Sequence, residues 1–223
     1  MDTLTQGLLG AASAQLGFRQ RIGRDATLVA FGAGVAADLD MFVGPLLSMT
    51  GAEVDEFTIM QIHRGPSHSL LLAPLLALPI AAVWWHFRRR LTRNDEPPAA
   101  TDRTTHPEVA RRAQAPPPAR GPGFLLLYAC VLVAFLTHAL LDYLTAYGTQ
   151  IFSPWTDARY ALDAVAIVDF IFTPWLILTL AACYLVRKLR GGRAPRATLV
   201  IGWVGLLLAM GYLAAGKVLH DRA

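Results

Sequence analysis

Thiol chemistry is nearly absent from this chain. Its 223 residues include two cysteines, Cys130 and Cys183, each in the middle of an apolar run where a small packing residue is expected. A disulfide frame and a cysteine-rich zinc site are therefore excluded. Charge is sparse too: 16% of residues are charged against 54% hydrophobic, and the mean hydropathy is +0.41. That balance is too apolar for an ordinary soluble domain. It predicts an all-α, polytopic membrane helical bundle forming one domain over residues 1–223. The formal charge of +4 does not argue for nucleic acid as a partner, because the basic residues flank apolar runs, where they set membrane topology. Nothing in the pattern specifies an oligomeric state.

What the chain has is a series of apolar runs. Residues 4–18 are apolar but short and have no basic residue before them, so a short or tilted helix is expected there rather than a cleavable signal peptide. The runs 26–47, 66–87, 123–147, 165–187 and 197–216 have the ~20-residue length that crosses a hydrocarbon core. About five spans plus a short N-terminal helix are expected. Residues 94–122 hold half of the 14 prolines, with mixed charge and no apolar period, which predicts a disordered cytoplasmic loop.

The positive-inside rule orients the series. With residues 19–24, 88–122 and 187–196 in the cytoplasm, 16 of the 20 Lys and Arg lie on that side. Asp38, Asp40, His63, His68, His138, Asp142, Asp163 and Asp169 then fall at or near the outer ends of their runs. Ionisable groups are expensive in lipid and read by default as a functional site in the bundle interior. Their collection in one leaflet predicts a site on the extracytoplasmic side of a bacterial inner membrane.

The chemistry of that site follows from the residue types. His138 and Asp142 stand four residues apart in a helical run and share one helix face, so imidazole and carboxylate can grip one ion, relay one proton or simply brace the bundle. Asp38 and Asp40 diverge by about 200° on an α-helix. One of them is expected to bind metal and the other to orient a ligand or cap a helix, and Asp40, nearer the outer surface, is favoured as the ligand. In His63-Arg64-Gly65-Pro66-Ser67-His68-Ser69, Gly65-Pro66 forces a turn and Ser67 or Ser69 can satisfy amides at the next helix start. Arg64 beside that start suits a phosphate or a developing oxyanion. Imidazoles and carboxylates without thiolates form a set for a divalent metal ion, zinc first, with manganese or iron as alternatives. The expected ligands are Asp40, His63, His68, His138 and Asp142. Arg64, Ser67, Asp38 and Asp169 are expected around the reaction, and Gln6, Ser69 and Asp163 as additional contacts.

Four blocks carry a resemblance: Asp2-Thr3-Leu4-Thr5-Gln6-Gly7-Leu8-Leu9-Gly10, Asp38-Leu39-Asp40, the His63–Ser69 segment, and His138-Ala139-Leu140-Leu141-Asp142-Tyr143 continuing through Tyr147-Gly148-Thr149-Gln150. In this order, as far as about Asp169, they resemble the YdjM-type inner-membrane metal-dependent hydrolases, a family also described as LexA-regulated. The resemblance implies a hydrolase; regulation by LexA concerns the promoter and implies no protein partner. Where many members carry histidine in the first block, this chain has Gln6, a poorer metal ligand.

Three functions compete on these residues. The first is a metal-dependent hydrolase of a lipid or lipid-linked phosphoester at the outer leaflet, using metal-acidified water. The second is a metal-independent lipid phosphatase with His138 or His68 as nucleophile. Its His-x3-Asp spacing is similar to that of type 2 phosphatidic acid phosphatases, but the arginine those enzymes place six residues earlier is Leu132 here. A transporter or proton relay is the third, and the lack of charged residues in the inner halves of the spans argues against it.

Overall fold

The structure is a computed structural model that describes residues 1–51, 55, 59, 63–94, 123–192 and 194–222. The expected loop at 94–122 lies outside the described residues from 95 onward. In chain order the elements are α1 (Thr3–Ser13), a 3₁₀ turn (Ala14–Leu16), α2 (Phe18–Ile22), α3 (Asp25–Ala36), a 3₁₀ segment (Ala37–Phe42) and α4 (Val43–Met49). A 3₁₀ turn (Pro66–His68), α5 (Ala73–Asn94), α6 (Phe124–Tyr143), α7 (Phe172–Leu189) and α8 (Pro195–His220) follow. Among the described residues there is no strand, only the isolated bridges Thr145 to Val165 and Thr149 to Tyr160. The chain is an all-α bundle of the membrane type.

Among the described residues four segments are long and apolar enough to cross a membrane: Asp25–Met49, Phe124–Tyr143, Phe172–Leu189 and Pro195–His220. The fifth expected span is α5, which ends in Arg88, Arg89, Arg90 and Arg93. The whole helix, 22 residues, rises about 33 Å, the reach of a ~30 Å hydrocarbon core, so about five spans plus the short N-terminal helix are compatible with the structure. α5 also starts seven residues later than the run suggested, because Ser69 is extended and its hydroxyl accepts from the amides of Leu71 and Leu72 at 3.1 and 3.2 Å. The run expected to begin at 165 likewise becomes helical only at Phe172. There the Asp169 carboxylate accepts from the amides of Ile171 and Phe172 at 2.8 and 2.7 Å, a side-chain cap that fixes where a helix starts.

α1 is the short helix the first run predicts. Asp2 caps it, accepting from the Thr5 amide at 2.9 Å. Its eleven residues rise about 16 Å, half a bilayer core, yet most of them are buried. The helix packs against α3, α6 and α7, while α7 packs against α8 and α5 against α6. Glycine makes the α1–α3 approach possible: a Cβ on Gly10 would lie 2.3 Å from the Ala30 carbonyl oxygen, and one on Gly34 would lie 2.6 Å from that of Gln6. Small residues at a helix contact are how membrane helices gain dispersion and backbone proximity without a hydrophobic driving force. One apolar core joins Ala26, Ala30 and Ala33 of α3 to Cys130, Val131 and Ala134 of α6. Another joins Leu9 and Ala12 of α1 to Leu176 of α7 and Leu213 of α8. Both cysteines are buried free thiols.

Candidate metal centre

α6 presents His138 and Asp142 one turn apart on its buried face, both with no solvent exposure. α3 brings the next carboxylate. Gly34 and Asp38 lie four residues apart and so face the same way, and the Gly34 carbonyl accepts from His138 Nδ1. Asp38 therefore follows Gly34 toward α6, whereas Asp40 turns to the segment before α5. The Pro66–His68 turn supplies His68, fully buried, whose ring meets that of His138 edge to face with centroids 4.5 Å apart. One ligand atom from each of Asp38, His68, His138 and Asp142 lies within 4.8 Å of the other three. The group is buried and can hold a metal ion.

Hydrogen bonds define the tautomers. A carbonyl oxygen only accepts, so His138 Nδ1 carries its hydrogen toward Gly34, leaving a lone pair on Nε2 of the neutral ring. Ser67 Oγ donates its single hydrogen to Asp40, so at 2.9 Å it accepts from His68 Nδ1. His68 Nε2 is then a lone pair as well. The two Nε2 atoms face each other at 2.8 Å, so with both rings neutral two acceptors meet, a contact that a shared proton or a metal ion held by both relieves.

The carboxylates complete the pattern. Asp38 Oδ2 accepts from the Thr3 hydroxyl at 2.5 Å, while Oδ1 stands 3.5 and 3.4 Å from the Nε2 atoms of His68 and His138. Asp142 Oδ1 accepts from Gln6 Nε2 at 2.7 Å and contacts the Met1 amino nitrogen. Its Oδ2 stands 3.2 and 3.8 Å from the same two imidazole nitrogens and has no hydrogen-bond partner among the described residues. Each of the four side chains thus gives one atom to an orienting partner and turns the other inward. Outer partners of this kind set ligand tautomer and direction in metal sites. A tetrahedron with bonds of about 2.0–2.2 Å has edges of about 3.3–3.6 Å, and the five separations just given run from 2.8 to 3.8 Å. The residues fit a divalent metal with nitrogen and oxygen ligands.

Asp40 and His63, expected as ligands, lie outside this group of four. Asp40 accepts from His63 Nδ1 at 2.8 Å, from the Arg64 amide at 3.2 Å and from Ser67, so its oxygens are spent on donors. Asp40, favoured over Asp38 for lying nearer the outer surface, is outside the group of four; in the 3₁₀ segment three residues make a turn and residues two apart diverge by about 240°. Asp38, the less exposed of the two, takes the α6 side. Arg64 is buried, with φ at 60°. Its Nε lies 3.2 Å from Asp142 Oδ2, its Nη1 donates to Thr145 at 3.2 Å and its guanidinium carbon sits 4.7 Å above the Tyr147 ring. Ser69 bonds the carbonyl of Ser153 and caps the approach to α5. Asp169 is held at the α7 start, where Tyr212 also donates to it at 2.8 Å, and Asp163 pairs with His220 at 3.3 Å on the surface. Neither joins the four.

Gln6 is fully buried and touches Asp142 through nitrogen, while its Oε1 has no hydrogen-bond partner among the described residues. Burial lowers the pKa of the Met1 amino group beside it, and Asp142 works against that shift. Thr3 and the Gly34 carbonyl were missed by sequence reasoning. The stripe Ala30, Gly34, Asp38, small residues at four-residue spacing that lead to a carboxylate, was the available signal.

No curated protein and no solved structure matches the chain. A family model for the YdjM inner membrane protein matches residues 1–218, so the chain belongs to the YdjM inner membrane protein family.

Proposed function

We propose that this protein is a metal-dependent hydrolase that cleaves a lipid or lipid-linked phosphoester at the outer leaflet of the inner membrane. The observation that carries the reading is the convergence of two imidazole nitrogens and two carboxylate oxygens, from Asp38, His68, His138 and Asp142, all buried and within 4.8 Å of one another. Leaving such a group uncompensated costs about 1–3 kcal/mol for each unsatisfied polar atom, and more for a charged one. A divalent ion, zinc first and manganese or iron as alternatives, would be held by Asp38, His68, His138 and Asp142. When bound, it would acidify water and polarise an ester or phosphoryl oxygen.

The chain's own groups supply the rest. Thr3, Gln6, Ser67 and the Gly34 carbonyl hold the four side chains in register. Arg64, fixed against Tyr147 and next to Asp142, is suited to a phosphate oxygen, since guanidinium donors match that geometry. The distribution of basic residues supports an extracytoplasmic site in a multi-pass chain. A metal-free histidine nucleophile is the weaker reading, because His68 and His138 each present their free nitrogen to the other rather than to an open space.

The test is phosphate release from lipid phosphoesters by the purified full-length protein before and after chelation. Turnover should vanish on chelation and return with zinc, manganese or iron. Full turnover after verified metal removal would shift the assignment to the nucleophilic histidine.

A further inference from the structure

The end of the bundle away from the metal centre holds a second polar cavity. Between the start of α3 and the end of α7 lies a space of about 520 Å³ lined by Arg19, Arg24, Arg187 and Lys188, with Tyr184 and Thr198 among its walls. From Arg24 to Asp38 the chain climbs fourteen residues, about 20 Å at helical rise, so this cavity and the centre are separate.

Four cationic side chains around one cavity repel each other unless something negative lies between them. The fold gives them only neutral acceptors. Arg19 donates to the Arg24 carbonyl at 2.9 Å and to Thr27 at 3.0 Å, and Arg187 donates to Gln15 Oε1 at 2.7 Å. No carboxylate among the described residues forms an ion pair with any of the four. The nearest candidate, Asp25, is paired with Arg88 at 3.1 Å. Arg19 and Arg187 are half-buried and fixed by those bonds, while Arg24 and Lys188 are exposed at the rim. Two anchored guanidinium groups inside and two exposed cations at the mouth suit a compact anion.

We propose that this cavity binds the phosphate of an anionic phospholipid. Basic pockets between membrane helices on the cytoplasmic side take acidic head groups, and paired arginines suit phosphate oxygens. The charge distribution of the chain puts this end in the leaflet that carries such lipids.

The probe is the thermal stability of the purified full chain in neutral detergent, titrated separately with phosphatidylglycerol, phosphatidylcholine and inorganic phosphate. Phosphatidylglycerol should raise the melting temperature saturably, and the other two should not. The variant R24Q/K188Q, which alters rim side chains that make no hydrogen bond or ion pair among the described residues and leaves the Arg24 carbonyl in place, should melt like wild type without lipid. Each basic residue near an anionic surface is worth about fivefold in affinity, so the double variant should bind phosphatidylglycerol about 30-fold more weakly. Either single variant, bracketing the double should it misfold, should show an intermediate loss. An equal effect of phosphatidylcholine, an unchanged response in the variants, or a response to inorganic phosphate alone would each overturn the proposal.

Discussion

Asp38 and Asp40 stand two residues apart in one 3₁₀ segment and serve different histidines in different ways. Asp38 Oδ1 lies 3.5 and 3.4 Å from the Nε2 atoms of His68 and His138, whereas Asp40 meets the Nδ1 of His63 at 2.8 Å and steadies His68 through Ser67. Exchange of either carboxylate for its amide should therefore separate binding from orientation. Asp38→Asn is expected to leave purified protein without stoichiometric metal, as is His138→Ala, because a ligand is gone. Asp40→Asn should keep the metal at stoichiometry and weaken its affinity by about 10–100-fold, the usual effect of losing an outer partner. Elemental analysis with chelator competition decides the matter, and equal losses in the two variants would count against the division.

Arg64 touches Asp142 but is no metal ligand. Arg64→Ala should reduce turnover about 100-fold, the scale of losing one group that stabilises developing charge, and leave the metal content unchanged. Arg64→Lys should recover part of that loss, as a point charge without the planar fork. Metal lost together with turnover would reassign Arg64 to a purely structural role beside Asp142.

Gly34 is where α3 meets α1 and where His138 finds its acceptor. A methyl group there would sit 2.6 Å from the Gln6 carbonyl oxygen, so α1 has to move. Gly34→Ala is expected to cost about 1–3 kcal/mol, as overpacking does, and to weaken metal affinity because Thr3 and Gln6, which hold Asp38 and Asp142, move with α1. Gly32→Ala, where an added methyl meets open space, is the control. Thermal melts of the two variants should differ clearly, and similar melts would mean that α1 is not held at Gly34.

Sidedness is tested by cysteine labelling. Cysteines placed at 105 and 157 should react from opposite sides of the membrane, with 105 on the cytoplasmic side, since the basic residues around it oppose translocation. Labelling from one side only would remove the common leaflet of the site.

The helices were legible because apolar runs of spanning length leave few alternatives, and the shared face of His138 and Asp142 followed from spacing alone. Helix starts were not, where a side chain overrides the hydrophobic pattern: Asp169 delays α7 and Ser69 delays α5. The choice between Asp38 and Asp40 rested on depth, Asp40 being nearer the outer surface, and depth does not say which of two diverging carboxylates faces α6 in the 3₁₀ segment that starts at Ala37. Partners such as the Gly34 carbonyl and the Thr3 hydroxyl leave almost no trace in a sequence. One is backbone, and the other is an ordinary residue whose importance comes from packing across 35 positions.

The bond between Gln6 and Asp142 joins residues 136 positions apart, which turns the centre into a matter of timing. At about 5–20 residues per second of synthesis, the first helix waits roughly 7–30 s before its carboxylate partner leaves the ribosome. During that interval α1, too short to cross a bilayer, has only α3 to lean on. A nascent chain arrested before residue 142 should therefore hold Gln6 open to solvent-borne reagents, and release of the arrest should close it.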